Sequence, residues 1–124
     1  MNKILRIVVA LPGLLFLAMG AGWLLDPATA AEGLGMPLLE GVGLSTQIGD
    51  LAAFFVTLGV TILMGAATQN GTWLYAPAML LGFAALFRII AASAHGAVMA
   101  TDMIGFEIII AALLLFTARR FSKA

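Results

Sequence analysis

The stretch L-A-A-F-F-V-T-L-G-V-T-I-L-M-G-A-A-T-Q-N-G-T-W-L-Y-A-P-A-M-L-L-G-F-A-A-L-F-R, from Leu51 to Arg88, decides the fold. It carries no charge before Arg88, and the turn cluster T-Q-N-G-T at Thr68 to Thr72 divides it into two apolar runs. About 20 apolar residues in a helix cross a hydrocarbon core about 30 Å thick. Two spanning helices therefore meet at that turn, and the second ends in an arginine-bearing segment. An ionisable group there costs about 2.5 to 3.5 kcal/mol on insertion scales, so it faces a partner or a wet cavity.

The 124-residue chain as a whole has the same character, with 63% hydrophobic and 10% charged residues. Soluble domains carry about 25% charged residues, so a soluble fold is excluded. Ile7 to Leu25 is another uncharged run long enough to span. The start M-N-K-I-L-R and the small residues Ala18, Gly20, Ala21 and Gly22 imitate a secretory signal. The run exceeds the ~7 to 15 residues of a signal core and is read as a helix. Val98 to Thr117 supplies the last run. The expectation is an all-α, polytopic membrane protein: one domain over 1–124, a four-transmembrane-helix antiparallel bundle with helices near 5–25, 49–67, 74–94 and 98–118.

Between the first and second spanning helices, Ala28 to Ile48 holds Glu32, Glu40, Pro37 and several glycines. It reads as a long outer loop with one or two short helical pieces, of the kind that often forms a lid or binding loop. Asp26-Pro27 opens this segment, with Asp26 as an N-cap and Pro27 at the first helical position. Pro77 is tolerated if it falls in the first turn of its helix. Trp23, Trp73 and Tyr75 read as interfacial anchors.

Charge placement sets the orientation. Lys3 and Arg6 flank the first helix, and Arg119, Arg120 and Lys123 follow the last. The positive-inside rule then puts both termini in the cytoplasm, and an even helix count agrees. Asp26, Glu32, Glu40 and Asp50 fall in or beside the first loop, outside. So strong a bias argues against the dual topology of very small multidrug transporters. The expected location is a bacterial inner (cytoplasmic) membrane.

Only Arg88, Asp102 and Glu107 then lie within the membrane. At 1.5 Å per residue, Arg88 sits ~9 Å below the outer end of its helix, Asp102 ~6 Å and Glu107 ~13 Å below the outer end of theirs. One guanidinium could bridge either carboxylate. His95, seven residues from Arg88, would close the outer end. On the second spanning helix Asp50, Phe54, Thr57, Thr61 and Met64 form one helical stripe. Turned inward, it gives a polar core of Asp50, Thr57, Thr61, Arg88, His95, Asp102 and Glu107. The bland alternatives are a structural Arg88–carboxylate pair, Asp50 as a charge at a helix N-terminus, and Thr57 and Thr61 as packing hydroxyls.

Several chemistries are set aside. Zero cysteines exclude disulfides, thiolate metal sites and a thiol nucleophile. One histidine cannot supply both axial ligands of a bis-histidine haem, and paired Glu-x-x-His motifs of a di-iron bundle do not occur. An isomerase or hydrolase using Glu107 as general acid would need that carboxyl clear of Arg88. No catalytic residue, metal site or cofactor is assigned, and a non-enzymatic protein is expected.

G-D-L-A-A-F-F at Gly49 to Phe55, Phe87-Arg88, the His95-Gly96 turn and Glu107 in the last helix carry a resemblance. Over nearly its whole length the chain resembles a bacterial family of small four-helix integral membrane proteins of unknown function, and more distantly the DoxX-like membrane proteins. The resemblance implies a four-helix bundle in which Asp50, Arg88, His95 and Glu107 belong together, and it brings no substrate.

The leading expectation is an outward-opening intramembrane pocket that binds a small or lipid-like molecule. The alternative is an accessory subunit whose polar cluster only fixes helix packing. The lipid bilayer is the certain partner; a second copy or a membrane complex is open, and no nucleic acid is expected.

Overall fold

The computed structural model describes residues 1–123, with side chains for residues 1–122. Those residues form five helices and no strand: α1 (Asn2–Leu25), α2 (Pro27–Gly33), α3 (Gly41–Thr68), α4 (Thr72–His95) and α5 (Thr101–Lys123). Four of them, all but α2, are long and apolar enough to cross a membrane. The side chain of Lys123, counted above with the basic tail, lies outside the described residues.

The segment expected as a long loop is largely helical. α2 takes its first part, and α3 begins at Gly41, about two turns before the expected start near Gly49. Only 34–40 lies between them without helix. A glycine in a helix costs about 1 kcal/mol relative to alanine. Backbone groups left unpaired in apolar surroundings cost more, so the helix continues through glycines that argued against it. Asp26 and Pro27 act as read: Asp26 accepts hydrogen bonds from the Thr29 hydroxyl at 2.7 Å and the Thr29 N–H at 3.4 Å, with Pro27 in the first turn.

Pro77 is the sixth residue of α4, past its first turn, and is buried; Pro12 lies inside α1. Each ring withholds one N–H, from the Trp73 and Val8 carbonyls respectively. Neighbouring helices and local adjustment compensate for such losses.

Packing is uneven. α1 packs most extensively on α3 and α4 on α5, whereas α3 meets α4 over less surface and α1 meets α5 over less still. The α1–α3 contact depends on glycines. A Cβ on Gly59 would lie 2.8 Å from the Gly13 carbonyl oxygen and 2.9 Å from the Leu17 nitrogen, and one on Gly20 would lie 2.6 Å from Val56 Cγ2. Small residues let two helix backbones approach in this way. Gly20 meets Val56, Gly59 meets Leu17, and Arg6 reaches Ala66, so ascending positions on α1 meet descending ones on α3. Gly71, at the turn into α4, stands against the backbone of Ala118 in α5, where any Cβ would collide.

The core consists of Val9, Phe16 and Trp23 from α1, Phe55, Leu58 and Ile62 from α3, Leu74 and Leu81 from α4, and Leu114 from α5. Trp23, expected as an interfacial anchor, is 1% exposed and belongs to this core, while Trp73 and Tyr75 are exposed. Many large apolar side chains, among them Leu11, Leu14, Phe87 and Ile109, point away from the core. That distribution is unfavourable in water and ordinary in lipid.

Candidate functional site

Arg88 and Glu107 form an ion pair between α4 and α5, Nε donating to Oε1 at 3.0 Å. It is the one ion pair among the described residues. Glu107 is buried, at 7% exposure, whereas the Arg88 side chain keeps 35% of its surface. A guanidinium has five N–H donors. Nε takes the carboxylate, and among the described residues neither Nη atom has a partner.

The pair lines a cavity of about 710 Å³ between the helices. α1 contributes Phe16 and Met19, and Leu34 comes from the segment after α2. Phe54 and Phe55 on α3, Leu81 and Ala84 on α4, and Met103 and Phe106 on α5 complete a mostly apolar wall. Into it come four ionisable groups: Asp50, Arg88, Asp102 and Glu107. The phenylalanines touch one another. Phe16 stacks on Phe55 at 6.1 Å between ring centroids, Phe54 meets Phe55 edge-on at 5.1 Å, and Phe106 meets Phe16 edge-on at 6.1 Å.

Of the seven residues expected together, these four share the cavity, and Thr57, Thr61 and His95 do not line it. Thr57 is exposed, and the Thr61 hydroxyl donates to the Thr57 carbonyl one turn back at 2.6 Å. The stripe therefore does not turn inward as a unit. The inward face of α3 is the set Phe55, Gly59, Ile62 and Ala66, chosen by close packing on α1. A threonine that satisfies its hydroxyl on its own backbone has no need of a polar core.

His95 is the last residue of α4 and is exposed, one position before Gly96 at φ +70°. It stands at the carboxyl end of the helix dipole. Asp50 lies nine residues into α3, so the helix N-terminus has no part in placing it. Asp102, in the first turn of α5, does have that favourable position. Both aspartates are exposed, and neither is paired with a cation among the described residues. No group of three His, Asp or Glu side chains among the described residues is arranged to hold a metal ion.

The sequence reading missed Gln47. It is 4% exposed, its Oε1 accepts from the Leu39 N–H at 2.9 Å, and its Nε2 donates to the Pro37 carbonyl at 3.0 Å. One side chain thus ties segment 34–40, whose first residue lines the cavity, to α3. A glutamine in a segment that otherwise argued for a loop was the available signal.

Compared with protein families, curated proteins and solved structures, the chain matches none.

Proposed function

We propose that this is a non-enzymatic integral membrane protein, a four-helix antiparallel bundle whose cavity binds a small or lipid-like molecule. The observation that carries the proposal is a largely apolar cavity of about 710 Å³ that reaches the Arg88–Glu107 pair. Ligand sites are typically about 300 to 1,000 Å³, mostly apolar, with a few convergent polar groups. The partnerless Nη donors of Arg88 suit an acceptor oxygen on the ligand, and the phenylalanines suit its apolar body. The basic residues at both chain ends support cytoplasmic termini in a bacterial inner membrane, with the cavity opening outward. In this reading the chain stands with a bacterial family of small four-helix integral membrane proteins and, more distantly, beside the DoxX-like ones.

Native mass spectrometry of the protein purified in mild detergent tests the pocket. A retained adduct in the native chain, lost in Ala84→Trp, which fills the cavity, is the expected result. Wild type and variant free of any adduct under every extraction condition would end this reading.

The tie between α4 and α5 favours one other reading, an accessory subunit in which the pair only fixes helix packing. It predicts that folded Arg88→Ala protein still associates with its membrane-complex partner. Repeated recovery of the protein alone after mild purification would count against it.

A further inference from the structure

We infer that the cavity takes an amphiphilic organic cation, its charged end at Asp50 and Asp102 and its apolar body among Phe16, Phe54, Phe55 and Phe106. The inference rests on the pocket reading above and adds the sign of the ligand's charge.

The ionisable lining is unbalanced. Three carboxylates, Asp50, Asp102 and Glu107, face one guanidinium, a formal surplus of two negative charges. Arg88 is already neutralised by Glu107 at 3.0 Å, so it offers hydrogen-bond donors but little free positive charge. In a cavity walled by apolar side chains, charges are screened less than in water. An anion entering would meet that surplus, and a cation would relieve it.

A second observation is independent of the two aspartates. Glu107 is more than nine-tenths buried and lines the cavity, yet only its Oε1 has a partner. Among the described residues Oε2 accepts no hydrogen bond. Oε2 is reachable from the cavity rather than sealed in the interior, since the fully buried side-chain polar atom left without a partner among the described residues is Thr117 Oγ1. A donor arriving from the cavity side, such as an ammonium N–H, completes that carboxylate.

The wall then distinguishes an organic cation from an inorganic one. A hard cation such as Ca²⁺ would need about six to eight oxygen ligands, and most of this lining is Phe, Leu, Met and Ala. The face of an aromatic ring attracts a cation as well as apolar groups, which is the basis of aromatic cages for quaternary ammonium ligands. Four phenylalanines around a carboxylate-bearing cavity supply both.

The experiment compares tetraphenylphosphonium with tetraphenylborate, which present the same apolar shell with opposite charge. Binding of each to the full-length protein in nanodiscs is measured by equilibrium dialysis, with Ala84→Trp protein as the blocked reference that removes bilayer partitioning. Saturable phosphonium binding about tenfold or more tighter than borate binding is expected. An Asp50→Asn/Asp102→Asn variant should lose most of that preference. Cavity-dependent binding of borate as tight as phosphonium, or tighter, overturns the cation inference and leaves the pocket standing. A phosphonium preference untouched in the folded double variant overturns the assignment to the two aspartates. No saturable binding of either ion, or binding that Ala84→Trp does not change, overturns both readings. The wild-type comparison settles the sign of the charge even if the double variant does not fold.

Discussion

Arg88 engages Glu107 through Nε alone, and the two ends of this ion pair differ in burial: the carboxylate is enclosed, while about a third of the arginine side chain stays accessible. Removing either partner therefore has unequal consequences. Arg88→Ala leaves a buried carboxylate uncompensated and should cost about 2 to 4 kcal/mol. Glu107→Ala leaves a cation that can turn toward its accessible side, and should cost about 1 to 2 kcal/mol. The double variant Arg88→Met/Glu107→Leu should regain most of the loss. Unfolding titrations in mixed micelles give all three values, and equal costs for the single variants would contradict the asymmetry.

Gly59 tests whether close backbone approach holds α1 to α3. Its added Cβ would meet the backbone of Gly13 and Leu17, which cannot move aside as a flexible side chain can. Gly59→Ala should destabilise by about 1 to 3 kcal/mol. Gly22 and Gly82 have nothing within 4 Å of the corresponding position. Gly22→Ala and Gly82→Ala should be neutral or stabilising by up to about 1 kcal/mol, since alanine is the better helix former. The same micelle titration separates the two outcomes.

Gln47→Leu removes both hydrogen bonds that hold 37–39 against α3. The buried polar groups left behind make the cost about 1 to 3 kcal/mol. The change should be local. Amide exchange at Leu39 should accelerate strongly while exchange in the α1–α3 core stays slow. Uniform acceleration through the molecule would show that the segment is not independently held.

The native chain has no cysteine, which makes labelling clean. Glu40→Cys should react with a membrane-impermeant maleimide added to intact spheroplasts, and Asn2→Cys only after permeabilisation. The reverse pattern would invert the proposed orientation, and the mouth of the cavity would then face the cytoplasm.

What the sequence made legible follows from what lipid enforces. Charges are rare and costly there, so Arg88 and its two candidate partners, Asp102 and Glu107, stood out, as did the four apolar runs; the choice of Glu107 came from the helix rotation that the sequence does not show. The Asp26-Pro27 start was readable because capping is local chemistry. The rotation of α3 was not. Thr57 and Thr61 look polar in one dimension, but a threonine hydroxyl can be satisfied by its own helix, and the small residues at Gly59 and Gly65 decide which face packs. Trp23 was misplaced for a related reason: an indole suits an interface or a core equally, and only the arrangement of neighbours chooses. The role of Gln47 depends on contacts eight and ten residues away, across a bend at Gly35 and Gly41 that no periodicity reveals.

The tie through Gln47 also separates two properties of the fold, the shape of the cavity wall and the hold of its helix pair. The contacts that join α1 to α3 run through Gly13, Gly20 and Gly59, while Leu34 reaches the cavity from a segment fastened by its own side-chain clasp. Insertions or exchanges within 34–40 can thus alter the volume of the cavity without loosening the helix pair beneath. Under the proposed pocket reading, guest size becomes a trait on which selection can act at little cost to the scaffold.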